Sequence, residues 1–98
     1  MILVREVFQA KYGKGDELVA LCKEAGVVFR DATGYSARVL TDASGTFFTV
    51  VWETEVESLG QWEESMATAF SDAAFGEWFE RMVPLVDSGR RDFFNIVA

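Results

Sequence analysis

Apolar positions along this chain recur with two periods, and the alternation between them outlines its elements. From Ile2 to Lys11 the run is β-branched and alternating, which predicts a strand ended by Tyr12-Gly13-Lys14-Gly15. Asp16 is placed to cap a helix, and Leu18, Leu21, Cys22, Ala25, Val28, Phe29 and Ala32 then recur at helical spacing until Thr33-Gly34. Tyr35 to Thr41 and Thr46 to Val56 read as two strands joined by the turn Asp42-Ala43-Ser44-Gly45. Ser58 and Gln61 form a capping-box pattern, followed by an apolar stripe of Trp62, Met66, Ala69 and Phe70. Ser71-Asp72 predicts a break and a fresh cap, after which Phe75, Trp78, Phe79, Met82 and Val83 continue the stripe to Pro84. Ser88-Gly89 closes that segment, and Arg91 to Val97 is predicted as a last strand.

The order β-α-β-β-α-β predicts one α+β domain over residues 1–98. Right-handed crossovers favour a ferredoxin-like sandwich, a four-stranded antiparallel sheet in the order 4-1-3-2 with its helices on one face. A four-residue turn sets Val39 against Phe48, Ala37 against Val50 and Tyr35 against Trp52 beneath the helices. It sets Leu40 against Phe47, Arg38 against Thr49 and Ser36 against Val51 on the bare side, with Glu53 beyond. Leu3, Arg5, Val7 and Gln9 of the first strand and Phe93, Asn95 and Val97 of the last are expected there too.

Thr46 to Trp52 is apolar on both of its faces, whereas a half-buried strand should be polar on one. The bare face therefore calls for a cover, and a second copy of the chain is the simplest. Leu3, Val7, Leu40, Phe47, Val51 and Phe93 are the expected dimer interface. Arg5, Arg38, Glu53 and Asn95 are scattered through it, either paired with one another, as expected of Arg38 and Glu53, or arranged around a ligand. Trp62 and Trp78, with Phe75 and Phe79, are candidates to line a pocket on the helix side, although an aromatic stripe at helical spacing is ordinarily core.

Composition narrows the chemistry. The chain has no histidine, which removes Ser-His-Asp and Cys-His catalysis, a His-ligated haem and the usual catalytic zinc sites. Gly13-Lys14-Gly15 is too short for a phosphate-binding loop, so no cofactor and no metal are expected. Nine Lys and Arg stand against sixteen Asp and Glu, and Glu53 to Glu80 contains no basic residue. That balance disfavours nucleic acid and anionic membranes as partners. Cys22, the single cysteine, lies in the first helix's apolar stripe and is expected to be a buried small hydrophobe. No signal segment or membrane-spanning run is visible, so a soluble cytoplasmic protein is expected.

Three short motifs carry a resemblance. Ala10-Lys11-Tyr12-Gly13-Lys14 resembles the Lys-Pro-Gly-Lys junction of NIPSNAP-like and antibiotic-biosynthesis-monooxygenase-like domains, with Tyr12 in the place of proline. Glu57-Ser58-Leu59-Gly60-Gln61-Trp62 resembles their Ser-Leu-x-x-Trp helix entry, and Asp72-Ala73-Ala74-Phe75 their Asp-Pro-x-Phe restart, again without proline. The resemblance implies a dimeric α/β barrel in which two sheets face each other. It carries no activity over: haem-degrading members need a histidine ligand, and the Trp, Tyr, Asn and Arg types used by cofactor-free monooxygenases fall on two different predicted faces here. Three functions follow as expectations. The first is binding of an apolar or aromatic small molecule. The second is cofactor-free monooxygenase or isomerase chemistry on an aromatic or polyketide-like compound. The third is a non-catalytic structural or interaction role. No catalytic residue is assigned from the sequence.

Overall fold

A computed structural model describes all 98 residues, Met1–Ala98. Its elements are β1 (Ile2–Ala10), α1 (Gly15–Thr33), β2 (Ala37–Thr41), β3 (Thr49–Val56), α2 (Leu59–Phe70), α3 (Ala73–Met82), a 3-10 turn (Val83–Leu85) and β4 (Val86–Asn95). The four strands form one antiparallel sheet in the order β2-β3-β1-β4, the predicted ferredoxin-like topology. The core lies between one sheet face and the helices. Val4, Val50, Trp52 and Val56 meet Leu18, Cys22, Ala25 and Phe29 of α1, and Trp62, Phe75 and Trp78 of α2 and α3.

Local chemistry explains most boundaries. Gly34 ends α1 in the left-handed conformation (φ 84), its N–H donating to Arg30 O at 2.7 Å. Ser58 Oγ accepts from Gln61 N at 3.1 Å and starts α2, while Asp72 Oδ1 accepts from Ala74 N at 2.9 Å and starts α3. Asp16 is not the cap of α1. Lys14 occupies that position without a side-chain bond, and Asp16 lies in the first turn, where its charge still complements the helix dipole.

Two strand predictions need correction. The β2–β3 loop runs from Asp42 to Phe48 instead of ending at Gly45, so Arg38 faces Glu53 and Leu40 faces Val51. Phe48 adopts φ 59, and its ring fills the space over Gly15, where a Cβ would lie 2.8 Å from it. Asp42 Oδ1 accepts from Thr49 N at 3.0 Å and closes the loop. The displacement is an even number of residues, so every side chain keeps its predicted face. Phe47, however, leaves the sheet and stands exposed on the loop.

The second correction changes faces. β4 begins at Val86, and it pairs with β1 as Leu3↔Phe94, Val4↔Phe93, Arg5↔Asp92 and Glu6↔Arg91. Phe93 and Asn95 thus share the helix side with Val4 and Ile2, and Phe94 takes the bare side. Neighbouring phenylalanines fit either alternation, so the hydrophobic pattern alone does not choose. The pairing is fixed by Arg91 meeting Glu6 and by Arg5 lying 5.2 Å above the Phe94 ring. Val97 falls beyond the strand and is exposed.

Candidate functional site

Between the sheet and the helices lies a cavity of about 120 Å³, open along part of its rim. Eleven of its thirteen lining residues are hydrophobic, so water inside it would find few partners. β1 contributes Phe8, β3 Trp52, α1 Ala25 and Phe29, α2 Trp62, Met66 and Phe70, and α3 Phe75, Trp78, Phe79 and Met82. The aromatic walls are braced against one another. Phe29 stands edge-on to Trp52 at 5.2 Å between centroids and lies 6.1 Å from Trp62, and Phe75 lies 5.5 Å from Trp78. Trp78 Nε1 donates to Leu21 O at 2.5 Å, which ties α3 to α1 and fixes that indole. Trp52 Nε1 is buried without an acceptor and lies 3.9 Å from the position of a Cβ on Gly26 of α1.

The two polar lining residues are Glu6 and Arg91, facing each other across β1 and β4. Arg91 Nε donates to Glu6 Oε1. The guanidinium also lies 5.2 Å above the Trp62 ring, so the indole face holds it in place. Burial raises the Glu6 carboxyl above its ordinary value, and the bond and charge of Arg91 offset only part of that. Glu6 Oε2 accepts no hydrogen bond within the chain.

The opposite, helix-free face is organised by charge. One transverse row reads Arg38, Glu53, Arg5, Asp92 across β2, β3, β1 and β4, alternating in sign. Glu53 lies at its centre with 2% exposure, accepting from Arg5 Nε at 2.8 Å on one oxygen and from Arg38 Nε at 2.5 Å on the other. Burial works to raise the Glu53 carboxyl, but its two guanidinium partners outweigh it and hold the group below the ordinary carboxylate value. The adjacent row, Leu40, Val51, Val7 and Arg90, is mainly apolar. A broad concavity of about 520 Å³ crosses this face, but only two of its eleven lining residues are hydrophobic. It is a broad, open surface lined mainly by polar residues. The smaller, drier volume on the helix side is the better place to hold a ligand.

The structure therefore divides the six candidate ligand residues. Trp62 and Trp78 line the cavity. Arg5, Arg38 and Glu53 form a closed ion-pair triad on the other face, and Asn95 lies exposed at the sheet end. Of the expected interface, Leu3, Val7, Leu40 and Val51 share the helix-free face, whereas Phe47 and Phe93 do not. Glu6 and Arg91 are not among the residues that the sequence pattern singles out. The signal was present in β1, where Glu6 interrupts the otherwise apolar set Ile2, Val4, Phe8 and Ala10. Cys22 is fully buried, and that burial pushes its thiol up to about 12. No group of three or more Asp, Glu, Cys or His side chains is placed to hold a metal ion, and no helix is long and apolar enough to cross a membrane.

No protein-family model matches the chain, and no curated protein matches it. Solved structures do. A NIPSNAP domain protein from Burkholderia xenovorans is 18% identical with a TM-score of 0.87, the match covering 100% of this chain and 96% of that one. A NIPSNAP family protein from Agrobacterium tumefaciens is also 18% identical, with a TM-score of 0.84 over 96% of this chain and 90% of that one. SnoaB, a cofactor-independent oxygenase from Streptomyces nogalater, is 11% identical with a TM-score of 0.75 over 99% of this chain and 93% of that one. These likenesses establish the ferredoxin-like fold and agree with the resemblance carried by the sequence motifs.

Proposed function

We propose that this protein is a homodimer that binds a small apolar or aromatic molecule between its sheet and its helices. The observation that carries the reading is the partly open cavity of about 120 Å³ with eleven hydrophobic residues among thirteen. A filled structural core would leave no such space, because interiors are otherwise packed to crystal-like density. All three tryptophans of the chain line this cavity. Its occupancy is therefore read by tryptophan emission: titration with toluene should shift the emission saturably and raise the melting temperature. An emission spectrum and a melting temperature unmoved by toluene and by other single-ring ligands would rule the binding reading out.

The dimer rests on the helix-free face. A twofold axis parallel to the strands, lying between two such faces, reverses the charge row. Arg38 then lies opposite Asp92 of the partner subunit, and Glu53 opposite Arg5 of the partner subunit. The row is self-complementary, as an isologous interface requires. The same pairing covers Leu3, Val7, Leu40, Val51 and Phe94.

A second reading, cofactor-free chemistry on the bound molecule, is favoured by one feature: an ionisable carboxyl, Glu6, beside Arg91 on the wall of a cavity whose other lining residues are all hydrophobic. The fold shared with SnoaB, a cofactor-independent oxygenase, is compatible with it. Oxygen uptake with an aromatic substrate and no added cofactor separates catalysis from binding alone.

A further inference from the structure

Accepting the helix-side cavity as a ligand site, its volume and its single polar pair restrict what it takes. A dry cavity of about 150 Å³ is enough for benzene. The cavity here is somewhat smaller, about 120 Å³, but open along part of its rim, so a single six-membered ring seated partly in that opening is the largest ring system that suits it and a fused one exceeds it. Its walls are largely aromatic, which suits a planar ring.

The polar pair supplies the second restriction. Glu6 is held with its side chain 13% exposed, and Arg91 occupies Oε1 alone. Oε2 is thus a charged acceptor with no partner in the chain. Arg91 spends only its Nε on Glu6, and its terminal guanidinium nitrogens donate to no other residue. A free acceptor and free donors therefore lie side by side at the only polar part of the wall. A carboxylate ligand would be repelled by Glu6, and a ligand with no polar group that covered the pair would strip Oε2 of its remaining solvent contact and leave it unpaired. A hydroxyl meets both demands, since it donates and accepts at once.

We propose that the cavity is a site for a monocyclic phenol. The ring lies among Trp52, Trp62, Phe75 and Trp78, the hydroxyl donates to Glu6 Oε2, and the phenol oxygen accepts from the Arg91 guanidinium. Trp62, beneath the guanidinium, acts as a positioning residue for Arg91.

Phenol and toluene have nearly the same shape and differ by a hydroxyl in place of a methyl, so they isolate the pair's role. Calorimetric titration of the wild-type protein should find phenol bound more tightly than toluene, and 1-naphthol bound more weakly than phenol. Glu6→Met, which removes the acceptor at similar volume, should weaken phenol about tenfold or more and reverse the order in favour of toluene. Toluene binding as tightly as phenol or tighter in the wild-type protein would overturn the inference while leaving the cavity a binding site. A phenol preference that survives Glu6→Met would overturn it as well. If Glu6→Met fails to fold, the wild-type order of the three ligands decides by itself. If none of the three binds the wild-type protein, the broader reading of the cavity as a ligand site fails with it.

Discussion

Read along one face, β1 presents Ile2, Val4, Glu6, Phe8 and Ala10; along the other it presents Leu3, Arg5, Val7 and Gln9. Both faces enclose a carboxylate beside arginine, yet the surroundings differ. On the helix side Glu6 has one guanidinium, aromatic walls and a free oxygen, and its carboxyl is raised. On the bare side both oxygens of Glu53 are engaged by two guanidiniums, and its carboxyl is lowered. A carboxylate with both oxygens held by guanidinium partners is a structural element. One left half-served against a dry cavity is available to a ligand.

Breaking the helix side should have the larger effect. Phe29 has no exposed surface and braces both Trp52 and Trp62. Phe29→Ala should cost about 3–5 kcal/mol, a large part of the stability of a domain this size, measured by urea unfolding. A loss below about 1 kcal/mol would mean that the aromatic wall is not packed as described.

Breaking the bare side is the next test. Glu53→Gln leaves two guanidiniums without their shared counterion and should cost about 1–3 kcal/mol, less than a fully buried pair because both arginines keep access to water. The pH dependence has a definite sign. The Glu53 carboxyl is lower in the folded state than its ordinary value of 4.5, so its contribution is complete above that value and is lost as pH falls below it. The stability gap between wild type and Glu53→Gln should therefore be constant near neutrality and shrink in acid. A gap that widens in acid would contradict the assignment.

A third substitution tests the assembly while sparing the fold. Val51 lies in the apolar row of the helix-free face. Val51→Asp should convert the proposed dimer to monomer in sedimentation velocity at micromolar concentration, with unfolding still cooperative. A wild-type monomer under those conditions, or a dimer indifferent to this change, would remove the interface. The gentlest test concerns sealing. Cys22, buried on α1 with its thiol pushed up to about 12, should react with an alkylating reagent only after unfolding.

The sequence made the architecture readable because its punctuation is local. Ser58 with Gln61, Asp72 and Gly34 each act within a few residues, and each does what its residue type predicts. The coupling of Arg38 with Glu53 was also readable: although the β2–β3 loop is longer than a four-residue turn, an even displacement preserves faces and brings the two directly opposite. Phe93 and Phe94 mark where this kind of reading stops. Two adjacent phenylalanines satisfy either alternation, and only the long-range pairs Glu6–Arg91 and Arg5–Phe94 choose between them. The same long-range pairing hid the cavity's polar pair, since Glu6 and Arg91 meet through a β1–β4 register that no local signal encodes.

The proposed division of the sheet into a ligand side and an assembly side is tested most directly by xenon-pressurised crystals. Xenon enters dry apolar cavities and ignores wet, polar concavities. Xenon density is expected in the volume bounded by Trp52, Trp62 and Trp78. The absence of xenon from that volume, or its appearance solely against the helix-free face, would contradict that division.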